Sequence, residues 1–245
     1  MQARAHVSAV AADAGRTRLD RLRSEAPLVL RPSPRGVMLV AGAGGPLGGD
    51  DLHLDVDLGA DARLDVASVA ATIVQRGFSA PGRPSGPARF SIRADLGEDA
   101  SLRWEPEPIV VCSGATLQVH TSVRCARGAA LVWREILVLG RLGETGGTAS
   151  LTMVVDVADR PVLRQTIWVG AAAPTGWDGA AGSGGHRVIG SMLLLGAAAD
   201  ALPRVEPDGA TAVLTLEAGG LLVTALGDTS LNVRRRLDAV RSLRS

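Results

Sequence analysis

The chain has 245 residues, with 26 basic and 25 acidic side chains and a formal net charge of +1. This balance provides no electrostatic field for nucleic acid or for an anionic membrane surface. Hydrophobic residues make up 46% of the chain and its mean hydropathy is +0.19, which excludes a disordered protein. A chain of this length buries about 70–75% of its unfolded surface, so it folds without a disulfide or metal.

Cysteine usage and hydropathy indicate where the protein works. Cys112 and Cys125 form no C-x-x-C pair, so we expect two free, buried thiols in a reducing compartment. No signal-peptide pattern opens the chain. The longest apolar run, Val188 to Ala199, is shorter than the roughly 20 residues that span a bilayer. These features predict a cytoplasmic protein.

Alternation with period two dominates the first half of the chain. His6–Ala12 and Thr17–Leu22 are predicted to pair across the turn at Asp13–Gly15. Val37–Val40 is the next predicted strand. From residue 52 to 58 the alternation is strict, with Leu52, Leu54, Val56 and Leu58 on one face and His53, Asp55 and Asp57 on the other.

Further short strands follow, separated by turns rich in Gly, Asp and Pro. They are predicted at Arg89–Ala94, Leu117–Cys125, Leu131–Leu139, Leu151–Val157, Val162–Val169, Ala212–Leu216 and Leu221–Leu226. No internal repeat or domain linker is evident. The pattern predicts one mainly β domain over residues 1–245, with many short strands in stacked or packed sheets of a sandwich, barrel or strand-stacking fold.

Helices and long loops are predicted mostly in the C-terminal half. One helix is expected near residues 188–202. A second is expected near residues 229–244, where an apolar stripe lies opposite an arginine-rich face. Ser79–Pro87 and Gly170–Gly185 are rich in Gly, Pro or Ala and are predicted to be long loops.

The most prominent local motif is a glycine loop, which runs from Gly42 to Asp51 and contains Gly44, Gly45, Gly48, Gly49 and Asp50. A dinucleotide site would require a helix directly after such a loop, but an alternating strand follows. The spacing also differs from G-x-G-x-x-G, and no Gly-Lys-Ser/Thr follows. Nucleotide binding is therefore not predicted, and a tight strand connection with solvated acids is the plain interpretation.

This loop and the segments after it resemble the UreD/UreH family of urease accessory proteins. The resemblance rests on Gly44–Asp50, on Ala71-Thr72 with Arg76, on Leu102–Glu107, on Ser113–Ala115 and on Leu131–Glu135 continuing to Leu139–Glu144. Ile73 and Gln75 stand where the family pattern has lysine and tyrosine. The order and spacing of the motifs make the match specific over most of the chain.

The resemblance implies a UreD-like β-helical or sandwich-like architecture and a role as a scaffold, without catalysis. Such proteins connect the urease apoprotein with UreF and UreG and assist nickel delivery to the urease active site. Position by position, it implies Asp50, Thr72 and Glu135 as polar contacts for nickel in transit. Gly44, Gly45, Gly48, Gly49, Asp50 and Arg76 are implied as the structural or partner-binding motif. No tightly bound cofactor and no small-molecule substrate are expected.

An all-β hydrolase or ligand-binding module unrelated to urease is the alternative. A hydrolase needs a nucleophile, a base and an orienting group, but the four histidines are scattered and no G-x-S-x-G motif occurs. His120 and Cys125 are five residues apart and lie on opposite faces of a regular strand, so a structural zinc site is not predicted. Glu135 interrupts an apolar run, and a buried carboxylate needs a partner or water.

Overall fold

The computed structural model describes residues 1–78, 85–200, 208–217 and 219–242, and strands dominate this part of the chain. The strands are β1 (Gln2–Ala12), β2 (Arg16–Arg23), β3 (Leu28–Ser33), β4 (Gly36–Ala41), β5 (Asp51–Leu58), β6 (Arg63–Ser68), β7 (Thr72–Val74), β8 (Ala88–Leu96), β9 (Ser101–Trp104), β10 (Ile109–Val111), β11 (Thr116–Cys125), β12 (Ala130–Leu139), β13 (Thr148–Val157), β14 (Arg160–Val169), β15 (Val188–Leu195), β16 (Thr211–Thr215) and β17 (Leu221–Gly227). The helices are α1 (Ala197–Asp200) and α2 (Ser230–Ser242), and a 3₁₀ turn at Asp13–Gly15 joins β1 to β2. The mainly β fold class with two helices in the C-terminal half is confirmed.

Two sheets pack face to face. Sheet A has the strand order β14-β13-β11-β8-β5-β1-β2, and sheet B has the order β16-β17-β15-β12-β9-β6-β4-β3, with β7 and β10 alongside. The buried leucines of β5 belong to one core with Trp104 and Trp133 of sheet B. The opposite face of β5, with His53, is only half-buried. The period-two pattern thus predicted correctly which side chains enter the core.

The chain alternates between the sheets from β4 to β13. Within this stretch β6 lies parallel to β4, β8 to β5, β9 to β6, β11 to β8, β12 to β9 and β13 to β11. Each return to a sheet therefore adds one strand beside the previous one. This path is that of a flattened β-helix, so both descriptions implied by the resemblance apply to the same molecule.

Similar corner turns stack where the chain passes from sheet A to sheet B. They are Leu58–Ala62, Leu96–Ala100 and Cys125–Ala129. Gly97 N–H donates to the Leu58 carbonyl at 2.8 Å, and Ala126 N–H donates to the Leu96 carbonyl at 2.8 Å. The fourth residue of each turn has a positive φ, as Asp61, Asp99 and Gly128 respectively. The sequence does not display this recurrence plainly, because the turn motif recurs at unequal spacing.

The expected helix over residues 188–202 is also wrong for its first part. Val188–Leu195 is strand β15, paired antiparallel with β12 and β17. One face of β15 packs into the core between the sheets, and the other, including Met192, packs beneath α2. Because both faces are covered, the strand is a continuous apolar run that periodicity alone does not distinguish from a helix. Helix α1 follows at Ala197–Asp200, and residues 201 and 202 lie outside the described part.

Helix α2 closes the outer face of sheet B and confirms the expected C-terminal helix. Its residues Val233, Leu237 and Val240 are almost completely buried against β12, β15 and β17. Of the two predicted loops, Gly170–Gly185 contains turns, whereas residues 79–84 of Ser79–Pro87 lie outside the described part. Neither described helix has the length and apolar character of a membrane-crossing helix.

Candidate functional site

A cavity of about 430 Å³ lies between the two sheets. Its walls are mainly apolar and include Leu52, Phe90 and Val119 of sheet A and Leu39, Trp104 and Leu137 of sheet B. At a share of about 30 Å³ per water molecule, this volume accommodates on the order of ten waters. The space is therefore large enough for a small hydrated ion.

Glu135 provides a carboxyl group to this cavity. On β12 it follows Leu131 and Trp133 and precedes Leu137 on the face that points between the sheets. Its Oε1 accepts a hydrogen bond from Thr121 Oγ1 at 3.2 Å and another from Trp133 Nε1 at 2.9 Å. Burial raises the pKa of Glu135, and the two hydrogen bonds act against this rise. The protonation state of this carboxyl group therefore depends on the balance between burial and the two hydrogen bonds.

A gap in sheet B lies directly beside Glu135. Strand β9 pairs with β12 as far as Trp133, and β10 pairs with it from Leu137 onward. Residues 105–108, between β9 and β10, lie outside the strands. Residues 69–71, between β6 and β7 in the adjacent part of sheet B, also lie outside them. Pro106 and Pro108 lack the N–H groups that a continuous ladder needs. Because Pro106 and residues 69–71 line the cavity, the cavity extends into this gap.

Ion pairs hold helix α2 beside the gap. Glu107, which lines the cavity, accepts from Arg234 of α2 at 2.5 Å, and its backbone N–H donates to Ser68 Oγ at 2.8 Å. Arg134, on the opposite face of β12 from Glu135, is nearly buried. Its Nη1 lies 3.0 Å from Asp238 Oδ1 of α2 and 3.4 Å from Glu105 Oε1. These pairs tie the helix to the border of the gap.

The structure brings several of the site residues implied by the resemblance to the cavity, and leaves others away from it. Thr72, at the start of β7, lines the cavity together with Glu135. Gly44 and Gly45 of the glycine loop also line it, as do Ile73 and Gln75. Asp50, Gly48, Gly49 and Arg76 lie outside its lining. The proposed roles of all these residues in nickel transit or partner binding stay predictions.

Asp50 is engaged within the glycine loop. Its side chain is buried, with Oδ1 2.6 Å from the Met1 amino nitrogen and Oδ2 accepting the backbone N–H of Leu47 at 2.8 Å. Gly48 is in close contact with Gly77, because a Cβ on Gly48 would lie 2.8 Å from the Gly77 nitrogen. Gly49 has a φ of +90°, which favours glycine. This part of the motif therefore shapes the loop.

Parts of four motifs of the resemblance meet at one end of the sheets, where the parallel strands of sheet A begin. Gly48 N–H donates to the Gln75 carbonyl at 3.0 Å, which joins the glycine loop to the segment after β7. Cys112 N–H donates to the Val74 carbonyl at 3.0 Å, and Gly140 N–H to the Val111 carbonyl at 2.8 Å. We call the loops 43–50, 75–78, 112–115 and 140–147 the motif end.

Side chains also connect the motif end. Arg76 is exposed, and its Cδ lies beside Gly114, 3.5 Å from where a Cβ on that glycine would be. Arg187 Nη2 donates to the carbonyls of Leu139, Gly140 and Arg141. Phe78 and Leu142 project from this end with 94% and 98% of their surface exposed. Exposed apolar side chains of this size are a feature of protein contact surfaces.

Two of the histidines pair with carboxylates outside the cavity lining. His6 pairs with Asp57 at 2.8 Å, and His186 Nδ1 pairs with Asp228 at 2.9 Å. Ser183 Oγ is buried without a hydrogen-bond partner, so it does not donate to His186. Over the described ranges, no three His, Cys, Asp or Glu side chains form a group able to hold a metal ion.

Sequence reasoning missed two residues of the site. Thr121 is 1% exposed and points inward among Leu117, Val119 and Val123 of β11. Its signal was a hydroxyl group at an apolar position of an alternating strand. Glu107 was noted only as part of a motif. Its position at the gap depends on the packing of α2, which no local pattern indicates.

Comparison with known proteins decides the family. The family model described as "UreD urease accessory protein" matches residues 1–245. The chain belongs to the UreD family of urease accessory proteins. It is 39% identical to the Urease accessory protein UreD of Streptomyces avermitilis, over 99% of this chain and 97% of that protein. The UreD protein of Streptomyces coelicolor is also 39% identical, over 97% of this chain and 94% of its own length.

A third UreD relative, from Frankia alni, is 39% identical over 92% of this chain and 87% of its own length. The family expected from the motifs is thus confirmed over the whole chain. Membership in an accessory family supports a role other than catalysis. It also contradicts the alternative of a module unrelated to urease.

Proposed function

We propose that this UreD-family protein is a cytoplasmic scaffold that links the urease apoprotein to UreF and UreG and assists nickel delivery. Nickel is its cargo, which passes through the cavity between the sheets and contacts Glu135. The observation that carries this proposal is a carboxyl group in an apolar cavity that extends into a gap in sheet B. The names of the relatives support the connection with urease.

The donor set suits transit of the ion and not its storage. Nickel accepts carboxylate and water ligands, and a site built for retention provides several protein ligands at once. Of the two carboxylates in the lining, Glu107 pairs with Arg234, which leaves Glu135 as the carboxyl group for the ion. Thr72 adds a hydroxyl group to the same cavity. With room for on the order of ten waters, the ion keeps part of its hydration while one carboxylate oxygen contacts it. Weak binding of this kind allows release toward the apoprotein.

The scaffold role is supported by the motif end. Phe78 and Leu142 are exposed there on loops that are joined by backbone hydrogen bonds. We propose that UreF covers these side chains. Co-expression tests this contact. Phe78→Ser together with Leu142→Ser is expected to reduce the amount of UreF that co-purifies, whereas Leu214→Ser, on edge strand β16, leaves it unchanged. Equal UreF recovery from both proteins would contradict this contact.

Urease activation tests the transport role. This chain is supplied to a host that lacks its own UreD protein, and the nickel content of purified urease is measured. Glu135→Gln is expected to assemble with its partners and to load less nickel than the wild type. Glu98→Gln changes an exposed glutamate in a corner turn and is the matched control. Normal nickel content with Glu135→Gln would leave only the scaffold role.

A further inference from the structure

The Glu135 carboxyl group is held by only one of its two oxygens. Thr121 and Trp133 both donate to Oε1. These donors come from different sheets, since Thr121 lies on β11 and Trp133 on β12. Among the hydrogen bonds of the described residues, none is made to Oε2, while Glu135 itself lines the cavity. One oxygen is therefore fixed in the wall, and the other is available to the cavity.

Both donors are themselves fixed. Thr121 is 1% exposed in the core. The Trp133 ring stacks on Trp104, with 4.7 Å between ring centroids and 10° between planes. These two tryptophans are direct neighbours in the register of β9 and β12. An aromatic pair of this geometry stabilises the packing beyond burial and restricts the ring orientation. The indole N–H is thus aimed at Glu135 by the packing of the core.

We propose that Thr121 and Trp133 are positioning residues, which fix Oε1 of Glu135 in the cavity wall and turn its Oε2 toward the passing cation. This inference rests on the proposed function of the cavity. Two hydrogen bonds to one oxygen of a planar carboxyl group fix the direction of the other oxygen. Without the two donors the carboxyl group is free to turn, and Oε2 no longer keeps one direction toward the cavity.

Most of the other groups around Glu135 carry no charge. Thr72 of β7, Ile109 of β10 and Leu151 of β13 line the cavity without charge. Ser191 of β15 lies opposite Glu135 in the register, and His120 of β11 is on the exposed face of its strand. Glu107 is the other ionisable side chain in the lining, and its carboxylate pairs with Arg234.

The test is the dependence of urease nickel content on the nickel concentration supplied, measured at one pH with the full chain in its complex. Thr121→Val and Trp133→Phe each remove one donor. Each is expected to raise the nickel concentration at half-maximal loading by about two- to ten-fold, the loss that one hydrogen bond accounts for. Thr121→Ser keeps the hydroxyl group and is expected to retain the wild-type nickel dependence. Co-purification with partners verifies assembly, and if Thr121→Val fails to assemble, Trp133→Phe carries the test.

The outcomes separate this inference from the proposed function. An unchanged nickel dependence in both donor variants, with Glu135→Gln defective at every nickel concentration, would overturn the positioning role and leave transit past Glu135 intact. An equally large loss with Thr121→Ser would also overturn it, because the serine variant keeps the donor to Oε1. Normal loading by Glu135→Gln would instead refute the proposed transit itself.

Discussion

Gly190 of β15 lies directly beneath Val233 of α2, and a Cβ on Gly190 would be only 2.4 Å from Val233 Cγ1. The same Cβ would lie 3.0 Å from Leu237 Cδ1. The absence of a side chain at this one position therefore lets α2 pack closely on sheet B. Since α2 also provides Arg234 and Asp238 to the border of the gap, its docking shapes the surroundings of the cavity.

Gly190→Ala is expected to destabilise the protein by about 1–3 kcal/mol, because the added methyl group overpacks the contact with α2. Denaturant unfolding measures the change. Gly209→Ala is the matched control, since nothing lies within 4 Å of a Cβ at that position. If Gly190→Ala unfolds at the same denaturant concentration as the control, the close packing of α2 described here is incorrect.

Asp50→Ala is expected to destabilise the glycine loop, because the part-buried Leu47 N–H loses its acceptor. A fully buried unsatisfied donor costs about 1–3 kcal/mol, so we expect a loss in the lower part of this range. Asp51→Ala is the control, since Asp51 is half-exposed and its partner is His53 at the surface. Unfolding experiments and proteolysis of the loop compare the two variants. A fully stable Asp50→Ala protein with reduced nickel loading would instead favour the transit role implied for Asp50 by the family resemblance.

Glu144 predicts an acid-sensitive contact at the motif end. The side-chain hydrogen bond from Arg141, together with N–H groups of Arg141 and Ser113, lowers the pKa of Glu144 from 4.5 to about 2. A carboxyl group with a lowered folded-state pKa stabilises the fold above its unfolded value, and this contribution is lost as the pH falls from about 4.5 to about 2. The stability difference between wild type and Glu144→Gln should therefore be present above pH 4.5 and vanish near pH 2. A difference that does not change with pH would contradict the ion pair.

For Glu135 we predict that stability depends on pH with the opposite sign. Burial raises its folded-state pKa above the ordinary value of 4.5, so between these two values the folded state binds more protons than the unfolded state. Wild-type stability should therefore decrease relative to Glu135→Gln as the pH rises above 4.5, until the folded-state pKa is passed. Unfolding of both proteins over a pH series measures this difference. A wild-type protein that gains stability relative to Glu135→Gln over this range would show that the carboxyl group is not desolvated.

The strands were predictable because most of them have one face in the core. In β5 and β11 this produces alternation that a single sequence displays. The same reasoning failed for Val188–Leu195, because α2 covers the second face of β15 and removes the alternation. The repeated corner turns were missed because unequal lengths of chain separate them. Their similarity becomes evident only when the strands stack.

The site was predictable only in part. Glu135 stood out as a carboxylate within an apolar run, and Thr72 belonged to a recognisable motif. The cavity depends on the gap in sheet B, which opens where the pairing of β6 with β9 ends at Val66 and Trp104. That end point arises from the register between strands far apart in sequence. Asp50 is the opposite case. This acidic residue is prominent in the sequence, but its carboxyl group is hydrogen-bonded within the glycine loop.

The most direct test of the account is the nickel content of urease matured with Glu135→Gln, compared with the wild type and with the Glu98→Gln control. We predict that the variant co-purifies with its partners in normal amount while the urease it matures contains less nickel. Urease with full nickel content from the Glu135→Gln complex would contradict passage of the ion through the cavity between the sheets.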